Sequence, residues 1–173
     1  MAIQPVLEYP HSGLRQKTIA VHAHQLHEPM VQSVINDLRD TLYAFPGTIG
    51  LAAPQIDAPW RIIMIDMSAK TTRDAGYILI NPEIVEVSRK KMVREGCLSL
   101  PEYLANVKRY TRLTVRYLTP EGETVEKPVR DLEAVAIQHE IDHLDGVLMI
   151  DQVHSLKTDL IRRATALMSV DGP

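Results

Sequence analysis

The 173-residue chain contains a single cysteine, Cys97, so no internal disulfide can staple it. Its first residues, Met1-Ala2-Ile3-Gln4-Pro5, also lack the basic leader and apolar stretch of a secretory signal, and both absences point to a reducing cytoplasm. Apolar runs such as residues 147–150 are far too short to cross a bilayer, which excludes a membrane-spanning helix. Charges of both signs are interspersed, the formal net charge is −3 and no long basic run occurs. That pattern argues against direct binding to nucleic acid or to an anionic membrane. No internal repeat, low-complexity tract or Gly/Ser linker divides the chain. Hydrophobic residues make up 45% of it, enough for one sizeable core, so the expected organisation is a single domain over residues 1–173.

What is present reads as separate helices around runs of strand. Residues 29–44 predict a helix, with Pro29 at its first position and Met30, Val31, Val34, Ile35, Leu38 and Leu42 as an apolar stripe. Phe45-Pro46-Gly47 ends it. Short β-rich segments follow at 60–66, 77–80, 84–88 and 91–94. Residues 107–118 and 123–129 predict a hairpin turning at Thr119-Pro120-Glu121-Gly122, with Leu113, Val115 and Tyr117 on its buried face. A second helix is expected from near Asp131, as N-cap, to near Gly146, as the residue that stops it. Leu132, Val135, Ala136, Ile137, Ile141 and Leu144 spread around its circumference and make it central and largely buried. A third helix is expected over residues 155–168. The fold class is therefore α+β, with antiparallel or mixed strands packed around the central helix, an N-terminal helix and a C-terminal helix.

That central helix carries His139-Glu140-Ile141-Asp142-His143. Two imidazoles four residues apart share a helix face and can grip one metal ion, with Glu140 beside them. His-Glu-x-x-His has a chance expectation of roughly 0.015 in a chain of this composition. A buried helix bearing unpaired His and Glu side chains would lose about 1–3 kcal/mol for each, and a metal would satisfy them. The third ligand decides the chemistry. No glutamate follows Glu140, which closes the thermolysin route, and Met149 stands where a metzincin needs its third histidine. His154 and the exposed-looking group His22, His24 and His27 are better read as surface residues. Cys97, within Glu95-Gly96-Cys97-Leu98-Ser99, is the better candidate, because one thiolate and two imidazoles leave a fourth position for water. On its own, it could equally be a small buried hydrophobe.

Together these segments resemble the peptide deformylases. The residues that carry the resemblance are Gly50-Leu51-Ala52-Ala53-Pro54-Gln55, the segment from Glu95 to Ser99, and Gln138-His139-Glu140-Ile141-Asp142-His143-Leu144-Asp145-Gly146, in that order. The resemblance implies an α+β fold wrapped around the histidine-bearing helix and removal of the formyl group from N-formyl-methionyl nascent peptides, with release of formate. It implies that Cys97, His139 and His143 are metal ligands and that Glu140 is the general base that later returns the proton to the departing amine. Gln55 and the backbone N–H of Leu98 would stabilise the oxyanion, and Gly50, with Ile49 beside it, would border the peptide. Iron(II) is the implied metal, although the ligands also suit zinc, nickel or cobalt. Gln55 could alternatively tie down its own loop, and Glu95 could either support a ligand or pair with a base such as Arg109. Thr48 departs from the family's Gly-hydrophobic-Gly opening, so the loop edge facing substrate is expected to differ. A deformylase-like paralogue with altered substrate or weak activity is the alternative, with a metallopeptidase or a non-enzymatic zinc module as more distant rivals. The last helix resembles a segment that some bacterial members dock on the ribosome, which implies a transient contact there.

Overall fold

The strands pair into a six-stranded antiparallel sheet in the computed structural model, which describes residues 3–163. Its strands are β1 (Gly50–Ala52), β2 (Ile62–Ile65), β3 (Tyr77–Cys97), β4 (Leu100–Leu118), β5 (Thr124–Arg130) and β6 (Leu160–Arg162). They run in the order β1-β2-β3-β4-β5, with β6 also paired to β4. Helix α1 (Pro29–Ala44) and helix α2 (Asp131–Leu144) pack on opposite faces of this sheet, and α3 (Met149–Gln152) adds one short turn.

The alternation within β2 explains the layering. All four residues of Ile62-Ile63-Met64-Ile65 are buried, because side chains leave a strand alternately to its two faces and both faces are covered. Ile62 and Met64 join Val31, Ile35, Leu38 and Leu42 of α1. Ile63 and Ile65 join Ala134, Ile137, Ile141 and Leu144 of α2. At about 1.5–3 kcal/mol for each fully buried aliphatic side chain, these two clusters fix α1 and α2 against the sheet before any polar contact is considered. Gln138 then clamps the helix to β4. Its Nε2 donates to the carbonyls of Tyr110 (2.7 Å) and Ala134 (2.8 Å), and its Oε1 accepts from Tyr110 N (3.1 Å).

The first helix and the hairpin agree with the sequence pattern. Leu113, Val115 and Tyr117 are buried, and the turn closes with Gly122 N donating to Thr119 O at 2.9 Å. Four expectations need correction. The segments 77–80, 84–88 and 91–94 are a single strand, because Asn81-Pro82 and Ser88-Arg89, which resemble turns in sequence, are absorbed into it. Register shifts fall between residues 80 and 83 and between 84 and 86, and Asn81 and Arg89 take positive φ of 50° and 56°. Met30, placed in the apolar stripe of α1, is 63% exposed at the helix start. Asp131 is not the N-cap. Arg130 holds that position, and Asp131 is the first helical residue at φ 53°.

The fourth correction concerns the C-terminal helix. Residues 156–159 form turn, and Leu160–Arg162 pair with β4 as Tyr103↔Arg162, Leu104↔Ile161 and Ala105↔Leu160. Leu156, counted in the helical stripe, is 64% exposed. An unpaired strand edge on β4 offers a ladder of hydrogen bonds to these residues, and that outweighs a short helical periodicity. Residues 164–168, the remainder of the expected helix, lie outside the described residues.

Candidate metal centre

Three segments converge beside α2. β3 delivers Cys97 at its end, just past a register shift between Gly96 and Cys97. α2 contributes His139, Glu140 and His143, and the one-turn helix Ala53–Ile56 after β1 contributes Gln55. All five side chains are buried. The two histidines lie one helical turn apart, with ring centroids 5.0 Å apart and planes 76° apart.

Cys97 Sγ is 3.2 Å from His143 Nε2, and ligand atoms of Cys97, His139 and His143 all fall within 4.8 Å of one another. A tetrahedral ion with bonds of about 2.0–2.3 Å separates its donors by roughly 3.3–3.7 Å, so one ion can reach all three after small side-chain adjustments. The donor chemistry agrees, since three soft or borderline ligands leave a fourth position for solvent. No other metal-capable group of this kind occurs among the described residues. His154, His22, His24 and His27 are exposed, with the rings of His22 and His24 stacked on each other at 5.8 Å.

Glu95 fulfils both roles considered for it. Its Oε2 bonds His139 Nδ1 at 2.8 Å, which turns the other ring nitrogen toward the centre, while Arg109 grips the same carboxylate through Nε (2.7 Å) and a terminal nitrogen (3.1 Å). Arg109 continues to Asp142 at 2.6 Å, one residue before His143. The network sets the charges. Burial works against an ionised Glu95, yet the bonds from His139 and Arg109 hold its pKa below the usual carboxylate value. Burial likewise opposes a charged His139, but Cys97 and Glu95 raise its pKa well above that of free imidazole. For His143, burial and the neighbouring His139 and Arg109 push the pKa well below that of free imidazole.

Glu140 differs from its neighbours. Burial dominates, lifting its pKa to about 7, and its Oε2 has no hydrogen-bond partner among the described residues. Gln55 does tie down its own loop. Its Oε1 accepts from Ala52 N at 2.9 Å, while Nε2 donates to Ser99 Oγ at 3.1 Å and lies 3.6 Å from Cys97 Sγ.

These groups open into a cavity of about 500 Å³ lined in part by Ile49, Gly50, Leu98, Leu132 and Val135. Leu132, expected in the buried belt of α2, is 50% exposed because it forms a wall of this open cavity. Thr48 lies at its edge with an ordinary φ, and the left-handed turn falls on Gly47 at φ 79°. Gly50 makes room for the carboxylate, since a Cβ there would stand 2.5 Å from Glu140 Oε1 and 2.9 Å from its Cγ. Gly50→Ala is therefore expected to displace Glu140 and lower kcat by several tens of times, since misplacement by about 1 Å can cost about a hundredfold. Unchanged turnover with folding intact would show that Glu140 has slack.

Fold and site together define a hydrolase built on a Cys/His/His group that can hold a metal ion. Comparison with known proteins narrows the class. The polypeptide deformylase family profile matches residues 3–159. Peptide deformylase 2 of Xanthomonas campestris pv. campestris is 43% identical over 166 residues, covering 96% of both chains. A peptide deformylase crystal structure from Legionella pneumophila superposes with a TM-score of 0.82 at 36% identity, covering 90% of this chain and 89% of that one. A Met-Ala-Ser-bound class I type b peptide deformylase from Acinetobacter baumannii superposes at 0.79 with 28% identity, covering 88% and 99%. The chain belongs to the polypeptide deformylase family.

Sequence reasoning missed three features of the site. Ser99 as partner of Gln55 and Asp142 as the second anchor of Arg109 both lie within the quoted motifs, where proximity was the available signal. Lys70, Arg94 and Arg163, which line the same cavity, come from three separate segments and left no shared local signature.

Proposed function

We infer that this chain hydrolyses the N-terminal formamide of formyl-methionyl peptides with Glu140 as its acid–base group and Gln55 and Leu98 as its oxyanion donors. The activity itself, removal of the formyl group from newly made proteins, follows from family membership. The observation that carries the residue roles is the buried Glu140 carboxylate, whose Oε2 has no partner among the described residues and which lines the same cavity as Cys97 and His139.

A metal held by Cys97, His139 and His143 would supply Lewis-acid polarisation and a water that ionises near neutral pH. We assign that metal as iron(II), which zinc, nickel or cobalt could replace. Glu140 takes one proton from the attacking water as oxygen adds to the formyl carbon. Its pKa near 7 suits both that acceptance and the later delivery of the proton to the amine nitrogen as the C–N bond breaks, leaving formate and a free N-terminus. Gln55 Nε2 and the Leu98 backbone N–H donate to the oxygen on which negative charge develops. The free edge of β1 at Gly50, with Ile49 before it, suits an extended peptide that adds as a further strand, and Leu98, Leu132 and Val135 offer apolar surface to the methionine side chain. That the Acinetobacter deformylase of similar fold binds Met-Ala-Ser supports a short methionyl peptide as ligand.

Formate release from formyl-Met-Ala-Ser by the metal-loaded protein, with acetyl-Met-Ala-Ser left intact, is the test. Cleavage of internal peptide bonds would revive the metallopeptidase reading. Gln55→Ala is expected to lower kcat about a hundredfold with metal retained. It also leaves the buried Ala52 N–H unpaired, which lowers stability by about 1–3 kcal/mol in a urea melt. An organisation as one domain, a cytoplasmic location and contact with the ribosome belong to the same proposal, the last resting on sequence alone.

A further inference from the structure

The net charge of the chain is negative, yet the mouth of its catalytic cavity is positive. Lys70, Arg94 and Arg163 line the same cavity as Glu140 and Gln55, and all three are exposed. The acidic residues in that lining, Glu95 and Glu140, are buried within the site. None of the three cations forms an ion pair among the described residues. Glu102, whose backbone carbonyl accepts from Arg163 N at 2.7 Å, directs its carboxylate to Arg162 at 3.3 Å. Arg94 has only a neutral partner, with Nε donating to Asn106 Oδ1 at 3.3 Å.

Two of the charges share one face of the sheet. Arg94 and Gly96 are two apart on β3, so they point to the same side, and the Arg163 guanidinium occupies the space that a side chain on Gly96 would need. Arg94 and Arg163 thus add two positive charges to one face of the sheet, an arrangement that a nearby anion stabilises. Lys70 approaches the cavity from the loop after β2. Exposed basic groups lining a low-dielectric cleft concentrate its field, and their effect falls on what enters rather than on the fold.

We propose that Lys70, Arg94 and Arg163 form a cationic collar that selects formylated peptides carrying Asp or Glu at the third and fourth residues. The proposal rests on the deformylase reading and refines its substrate class. With the formamide beside Glu140 and Gln55, an extended chain rising about 3.3 Å per residue brings its third and fourth residues roughly 7–10 Å onward, toward the mouth of the cavity. The methionine side chain fills the apolar interior, while the downstream carboxylates meet the collar.

The test compares formyl-Met-Ala-Glu-Glu, formyl-Met-Ala-Gln-Gln and formyl-Met-Ala-Lys-Lys in low salt. The acidic peptide is expected to exceed the neutral one about tenfold in kcat/KM, mainly through KM, with the basic peptide poorer than both and the differences shrinking in high salt. Replacing all three cations with glutamine should bring the acidic and neutral peptides within about twofold, whereas Lys157→Gln, away from the cavity, should keep the preference. Equal use of acidic and neutral peptides by the wild type, or a preference that survives loss of the three charges, overturns the collar. Binding of the product peptides Met-Ala-Glu-Glu and Met-Ala-Gln-Gln separates the two readings. Tighter binding of the acidic product without turnover of any formyl peptide keeps the collar and removes the activity, while equal binding overturns the collar alone. Tight binding of a short single-stranded RNA that the triple variant loses, with no peptide preference, assigns the charges to nucleic acid and overturns the proposal.

Discussion

Glu140→Gln is expected to reduce formate release from a formyl-Met peptide about a thousandfold or more while leaving the bound metal in place. General acid–base groups typically contribute about 10²–10⁴-fold, and here one carboxylate serves both proton transfers, so its loss should fall at the upper part of that range. Glutamine preserves shape and volume, and the buried Oε2 of Glu140 has no partner among the described residues for the substitution to disrupt. The fold should therefore survive, and a urea midpoint within a few tenths molar of the parent checks this. The effect belongs on kcat rather than KM, because the proton moves only after the peptide is seated. Metal content measured by mass spectrometry alongside the rate separates loss of the base from loss of the ion. A variant that retains its metal and turns over as fast as its parent would remove Glu140 from the mechanism.

The site was more legible in the sequence than the fold around it, for physical reasons. His139 and His143 lie on one helix, so a four-residue spacing fixes their common direction before any tertiary structure forms. Cys97 and Gln55 are 42 residues apart, and no local rule brings them together. Only resemblance to a family pattern linked them. Within the fold, β2 was readable as a short unbroken apolar run and α1 as a helical stripe that holds from Val31 to Leu42. β3 was read as pieces because Pro82 and the positive-φ residues Asn81 and Arg89 mimic chain reversals, and only pairing with β4 keeps the strand continuous. The segment 155–163 failed for the opposite reason. Its weak helical stripe had no strong competitor in the sequence, and its strand partner, Tyr103 to Ala105, lies more than 50 residues away. The collar was invisible for the same reason, since Lys70, Arg94 and Arg163 are scattered among charges of both signs.

Arg109→Met is expected to be the most destabilising single change near the site, at about 3–5 kcal/mol, although Arg109 lies outside all three motifs. Arg109 is 4% exposed and bridges Glu95 and Asp142, so removing it takes their shared cation from the buried Glu95 and the partly buried Asp142. Arg109 is one of the groups that hold Glu95 below the usual carboxylate pKa, so in the parent this contribution is fully present above the unfolded value, near 4.3, and is lost only as pH falls through the depressed folded value. In the variant only the bond from His139 still opposes burial, so the folded pKa of Glu95 rises above its value in the parent and ionised Glu95 stabilises the fold less. The deficit is then largest near neutral pH and narrows as pH falls through the carboxylate range, which urea melts at several pH values would reveal. Adding Glu95→Gln should recover part of the lost stability by removing one stranded charge, yet it should weaken metal binding about 10–100-fold, because His139 loses the partner that orients its ring. A cost below about 1 kcal/mol for Arg109→Met would mean that water reaches the pair, and the account of Glu95 as a buried anchor for His139 would fail with it.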